Sequence, residues 1–273
     1  MEIILAFRMK TILRSGKRKA KQSLHRLSQI YFKFAGSKVE CNICHFKTNR
    51  FGSDSWHPHT ICQSCGSQVR QRLLMAALTD LEWVNAKSLL LGKKVLHFAP
   101  EQMLQKFIKQ NSAAYETADF LTEGYRYNSI DHVLDISSMQ EIADASFDCL
   151  IACDVLEHVP DHLLAIREIN RVLKVGGSCI LTVPQKDLLK TTFEDPSITD
   201  PEMREKVFGQ FDHLRIYGDD FPDILRAYGF DVTVVSEENF NPEQVEKFVL
   251  FPPKLSKHPL ATNYRKVFFG RKK

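Results

Sequence analysis

Residues 146–184 read SFDCLIACDVLEHVPDHLLAIREINRVLKVGGSCILTVP. The stretch opens with a short apolar run around Cys149–Cys153 and closes on another, Cys179–Val183, each the length of a buried strand. Between them Leu163, Leu164, Ile166, Ile169, Val172 and Leu173 recur at helical spacing, and Gly176-Gly177 predicts where that helix stops. Upstream, KKVLHFA is strand-like, PEQMLQKFIKQ helical and AAYETAD strand-like. Downstream, DFPDILRAYGF and VTVVS add a closing helix and strand. This alternation predicts an α/β fold with a doubly wound, mostly parallel sheet and ligands at the carboxyl ends of its strands.

The turn after the first of these strands, His97-Phe98-Ala99-Pro100-Glu101, contains no glycine. Pro100 suits the first helical position, and Glu101 then lies in the first turn, at the positive end of the helix dipole. A dinucleotide would set its pyrophosphate there and needs glycines for close backbone approach. A carboxylate at that place disfavours NAD or FAD, and a P-loop is absent. A ligand carrying positive charge fits instead, and S-adenosylmethionine, with its ammonium and sulfonium, is such a ligand.

Seven cysteines fall into two groups. Cys41, Cys44, Cys62 and Cys65 form two C-x-x-C knuckles, the sulfur set that closes a tetrahedral structural zinc site. A segment this short cannot bury enough core to fold alone, and a zinc site supplies the missing free energy. With four thiolates filling the coordination shell, His45, His57 and His59 are read as surface residues. Cys149, Cys153 and Cys179 sit in apolar runs and read as buried small hydrophobes. The grouping argues for a reducing compartment, hence a cytoplasmic protein. The knuckles are followed by SQVRQRLLMAALTDLEWV, whose apolar spacing predicts a helix that packs on the sheet. The expected organisation is a basic arm over 1–38, a zinc ribbon over 39–67, a linking helix over 68–92 and a large domain over 93–273.

Charge is uneven along the 273 residues. Residues 1–40 hold ten Lys/Arg against two Asp/Glu, and the remainder holds 27 against 31. Lys17, Arg18, Lys19 and Lys21 make the densest run. Three readings stand for residues 8–26: a solvated tail, contact with an anionic membrane surface, or contact with RNA. The membrane reading would make the protein peripheral at the membrane.

The segment from Lys93 to Val235 resembles the class I S-adenosylmethionine-dependent methyltransferases, on VLHFAPE, TADF, VLDISSM, SFDCLIACDVLEHVPD and REINRVLKVGGSCILTVP. HFAPE with a C-x-x-C pair set upstream and FGQFDHLRIYGDDF downstream resembles a subgroup with an N-terminal zinc ribbon. The resemblance implies a seven-stranded sheet and S-adenosylmethionine as cofactor. It implies that Asp119 accepts the ribose hydroxyls, that Asp135 lies near the adenine amine, and that Ala99 and Glu101, beside His97, line the methionine end. Asp154 would face cofactor or substrate.

Two further clusters carry competing readings. Asp154, Glu157 and His158 resemble the E-x-x-E-H metal site of ubiquinone-pathway O-methyltransferases, while V-L-E-H-V also occurs in superfamily members without metal and then shapes the loop over the cofactor. His213, Arg215 and Tyr217 alternate and would share a face of an extended chain. His213, with His158, is a candidate general base, or else a hydrogen-bonded structural histidine. Arg215, with Tyr217, is a candidate for binding the acceptor. No N/D-P-P-Y/F motif follows the fourth strand, which points from amino groups towards a hydroxyl or carbon acceptor on a small molecule or glycan. RNA methylation and a non-catalytic adaptor on a methyltransferase frame are the alternatives. The oligomeric state is not specified by these residues.

Overall fold

The structure, a computed structural model, describes residues 36–54, 56–84, 86–120 and 129–273. The basic run and the contacts expected of residues 8–26 lie outside these residues. The ribbon begins with a two-stranded antiparallel pair, β1 (Val39–Glu40) and β2 (Lys47–Thr48). Helix α1 (Val69–Asp80) follows, and Val69 and Gln71–Leu78 are all buried. A helix buried on nearly every side is a core helix, and this one, which also buries Gln71 and Arg72, lies between the ribbon and the sheet. A short helix, α2 (Ala86–Leu89), leads to the large domain.

That domain runs β3 (Lys94–Phe98), α3 (Gln102–Asn111), β4 (Ala114–Asp119), β5 (His132–Val133), β6 (Phe147–Cys153), α4 (His162–Val172) and β7 (Leu173–Thr182). A small pair, β8 (Phe193–Glu194) and β9 (Arg215–Ile216), brackets α5 (Pro201–Phe208). Then come α6 (Phe221–Ala227), β10 (Phe230–Val235), α7 (Pro242–Phe248) and β11 (Val267–Lys272). The seven-stranded sheet has the order β10-β11-β7-β6-β3-β4-β5. Its strands are parallel except β11, which pairs antiparallel with both β7 and β10. Strand order reverses between β3 and β6, and the ligand crevice of such a sheet opens there.

Alternation along each strand divides the core between the two faces. Leu96, Phe98, Leu150 and Ala152 meet Ile166 and Ile169 of α4 and Phe221 of α6. Val95, Cys149, Ile151 and Ile180 meet Leu73 and Leu74 of α1 and Leu104 of α3. The three cysteines of the strand runs are buried, as expected of small hydrophobes.

Four expectations need correction. Helix α4 stops at Val172 rather than at the glycines. Leu173–Gly177 instead form the irregular first half of β7, with the register jumping from Phe147↔Leu173 to Cys149↔Ser178. Gly177 is needed in that bulge, because a Cβ would stand 2.8 Å from the Lys174 carbonyl and 3.0 Å from that of Asp148. Leu163 and Leu164 lie on the outer side of α4, 36% and 41% exposed. Glu101 is the N-cap of α3, so Pro100 precedes the cap instead of occupying the first helical position. Finally, VTVVS is not the last strand: β11, near the C-terminus, is inserted between β7 and β10.

Two of the buried histidines, His97 and His162, illustrate how stability depends on pH. His97 in β3 is wholly buried, its Nδ1 3.0 Å from the Tyr115 hydroxyl, and burial pushes its pKa down to about 3. Burial, reinforced by the charge of Arg215, pushes His162 down to about 4. Below the ordinary value near 6.5 the unfolded chain takes up protons that the folded chain refuses, so stability falls as pH falls. Urea unfolding is expected to show about 3 kcal/mol less stability at pH 5.5 than at pH 8 from these two groups. A pH-independent midpoint across that range would contradict it.

Candidate active site

The first cluster is the ribbon. Cys41 Sγ lies 3.7 Å from Cys65 Sγ, and Cys44 Sγ lies 3.6 Å from Cys62 Sγ. All four ligand atoms fall within 4.8 Å of one another. A zinc ion with Zn–S bonds of about 2.3 Å sets its sulfurs about 3.8 Å apart, so the spacing fits zinc. The knuckles repeat each other: the amides of His45 and Gly66 donate to the carbonyls of Cys41 and Cys62, at 2.8 and 2.9 Å. Both residues are left-handed, with φ of 57° and 77°. His45, His57 and His59 do not belong to the four-sulfur group.

Behind the thiols lies Arg72 of α1, with no exposed surface. Its guanidinium donates to the carbonyls of Thr60 and Ser67 in the ribbon and of Phe248 and Val249 at the end of α7, at 2.6–3.0 Å. It also sits 4.7 Å from the centroid of the Phe51 ring. Four thiolates around zinc carry a net double negative charge, and the Arg72 cation offsets part of it while riveting the ribbon to the large domain.

Two residues earlier on the same helix, Arg70 reaches the sheet's carboxyl edge. Its Nη2 donates to Glu101 Oε1 at 2.9 Å, and its Nε lies 3.0 Å from Asp154 Oδ2. Gln71 Nε2 also donates to Glu101 Oε1, at 2.5 Å. Asp154 accepts from Arg265 Nη2 and from the Thr182 hydroxyl, at 2.5 and 2.7 Å. Burial alone would raise the Asp154 pKa, but the Arg265 and Arg70 charges outweigh it and hold the carboxyl at about 2. Glu101 keeps one oxygen, Oε2, buried and without a hydrogen-bond partner.

A cavity of about 360 Å³ opens along the carboxyl ends of β5, β4, β3 and β6, within the ~300–1,000 Å³ of small-molecule sites. Asp135, Asp119, Ala99 and Asp154 line it in sheet order, and His158 follows at the β6 end. Asp135 Oδ1 accepts from the amide and hydroxyl of Ser137, at 2.8 and 2.7 Å, which fixes the loop after β5. Ala99 and Asp154 have φ of 45° and 50°. Non-glycine residues in this region cost of order 1–3 kcal/mol and gather at functional sites. Ala99 thus adopts the conformation that a glycine would take freely.

Other sequence candidates stand elsewhere. His97 points away from the cavity, into the core beside Tyr115. Glu101 lies behind the cavity wall, in the Arg70 network. His213 stands behind His158, the two rings edge-to-face at 4.7 Å. It is buried, its Nδ1 3.2 Å from the Phe208 carbonyl, and burial, then the nearby His158, lowers its pKa to about 4. Arg215 does not reach the cavity: its donors go to Glu194 and to the carbonyls of Leu156, Val159 and Pro160, where they brace the loop after β6. Tyr217 is a core residue, its hydroxyl 3.0 Å from His162 Nδ1. The alternation of these residues therefore reports inward packing rather than an acceptor-binding face. Sequence reasoning missed Arg70, Gln71 and Arg265, whose spacing carries no chemical pattern, and Asp212, which directly precedes His213.

Fold and cavity together define a doubly wound α/β domain with a ligand-sized cavity at the carboxyl edge of its sheet. Residues 92–181 match the model of the methyltransferase domain family. No curated protein matches the chain. Among solved structures, it is similar to a putative methyltransferase from Bacillus halodurans at 16% identity, over 74% of this chain and 97% of that one, with a TM-score of 0.44. It is similar at 14% identity to a structure of the Haloferax volcanii Trm112 methyltransferase activator in complex with a putative methyltransferase, over 74% and 89%, with a TM-score of 0.46. A third is the 1,6-didemethyltoxoflavin-N1-methyltransferase of Burkholderia thailandensis, with 1,6-didemethyltoxoflavin and S-adenosylhomocysteine bound, at 15% identity over 75% and 87%, with a TM-score of 0.44. Among the described residues no helix is long and apolar enough to cross a membrane.

Proposed function

We propose that this chain is an S-adenosylmethionine-dependent methyltransferase for a small, hydroxylated acceptor of saccharide type, methylated on oxygen or carbon. The observation that carries the reading is the single cavity joining Asp135, Asp119 and Ala99 to His158. In this reading Asp119 accepts the ribose hydroxyls and Asp135 holds the adenine end, while Glu101 acts from behind the wall by holding Arg70 against Asp154. When bound, the cofactor supplies an electrophilic methyl group on sulfur. The chain contributes chiefly alignment and exclusion of water.

The acceptor then occupies the end walled by His158, Val159, Pro160 and Asp212. Four aspartates line the cavity as a whole, and among the described residues its lining includes no lysine or arginine. Such a wall favours a neutral polyol over a phosphate-bearing chain. The protein is to be incubated with methyl-labelled cofactor and, separately, with a panel of saccharides and nucleotide sugars or with total RNA. Label is expected in the small-molecule fraction. Label confined to RNA would replace this acceptor class by the RNA reading, and label in neither would favour a non-catalytic adaptor.

A further inference from the structure

Glu157, His158 and His213 bring their ligand atoms within 4.8 Å of one another, although His213 is 55 residues from His158 in sequence. Three details set this cluster apart from a chance encounter. The Glu157 side chain is 1% exposed, and its Oε2 is buried without a hydrogen-bond partner. A buried carboxylate oxygen in that state lacks compensation from the protein. Each imidazole is also held from behind. His158 Nδ1 lies 3.3 Å from Asp212 Oδ2, and His213 Nδ1 lies 3.2 Å from the Phe208 carbonyl. With the Nδ1–H groups so engaged, Nε2 is the coordinating atom of each ring, and His158 Nε2 stands 4.0 Å from Glu157 Oε1. Metal-binding histidines are oriented by outer partners of this kind.

We propose that Glu157, His158 and His213 bind a divalent first-row metal ion, distinct from the zinc of the ribbon, at the acceptor end of the cavity. Two imidazoles and one carboxylate form a three-point ligand set that leaves coordination positions open. Asp154 is not part of it, because both its oxygens are taken by Arg70, Arg265 and Thr182. Of the three ligands His158 alone lines the cavity, so the open positions face that way. There they would hold vicinal hydroxyls of an acceptor. This last role rests on the methyltransferase reading, whereas the binding of metal does not.

The test uses the full chain with its ribbon loaded with zinc and manganese(II) as probe, since manganese prefers nitrogen and oxygen donors to thiolates. Free Mn²⁺ is followed by electron paramagnetic resonance, and S-adenosylmethionine affinity by calorimetry. One Mn²⁺ per chain is expected. Glu157→Gln and His213→Gln should each weaken it at least tenfold, with cofactor affinity retained in Glu157→Gln as proof of an intact fold. No stoichiometric Mn²⁺ in the wild-type chain, or equal binding by the wild type and Glu157→Gln, would overturn the site. Metal binding without cofactor binding would keep the site and remove the methyltransferase reading; the reverse would do the opposite.

Discussion

Cys44→Ser will strip the ribbon of its metal and lower the melting temperature of the whole chain by roughly 10 °C or more. The loss propagates through α1. Zinc binding supplies the folding free energy that so short a segment lacks, and in comparable sites it amounts to about 10–16 kcal/mol. Without it Thr60 and Ser67, two carbonyl partners of buried Arg72, are no longer held in place. The same helix carries Arg70, whose guanidinium holds Asp154 in the cavity wall. Loss of the ribbon should therefore also weaken cofactor binding, although no ribbon residue lines the cavity. Zinc content, thermal melting and cofactor titration of the variant check this. An unchanged melting temperature in a chain that holds no zinc would contradict it.

The second large effect is at Asp154. Its carboxylate neutralises two arginines, Arg70 and Arg265, which have side-chain exposures of only 19% and 10%. Removing one partner of a buried ionic cluster leaves uncompensated charge and costs about 3–5 kcal/mol. Asp154→Ala is expected to lose that much in urea denaturation. Asp154→Asn should lose somewhat less, since it keeps a hydrogen bond to Thr182 but not the charge. A loss below about 1 kcal/mol would mean that the arginines find other partners or water.

The parts of this account that were legible in the sequence are those set by local rules. The paired C-x-x-C spacing announces the four-sulfur group, because two residues between cysteines turn both thiols to one point. The apolar runs around Val95, Cys149 and Ile180 announce strands buried on both faces. The carboxylates Asp119 and Asp135 sit where strands end, and strand ends are where such a sheet binds ligands. What escaped depended on tertiary contacts. Arg70 is surrounded in sequence by residues typical of a solvated helix face, and only docking of α1 carries it to Asp154. Strand β11 offers three apolar residues before Gly270 and was hidden by its distance from β7. Arg215 looked like an anion receptor because its guanidinium can bind carboxylates, but the same donors serve carbonyls of a tight loop equally well. The meeting of His158 with His213 has no trace in local spacing.

The central claim is that the glycine-free turn at Ala99 belongs to a working cofactor site. The most direct test is calorimetric titration of the zinc-loaded protein with S-adenosylmethionine, repeated on Asp119→Ala. Hydrogen bonds to a charged acceptor contribute about 1.5–3 kcal/mol each, so losing two should weaken binding by a factor of roughly a hundred or more. The account predicts micromolar binding by the wild-type chain and loss of detectable binding in the variant. No binding by the wild-type chain at millimolar cofactor, or equal binding by both, would contradict it.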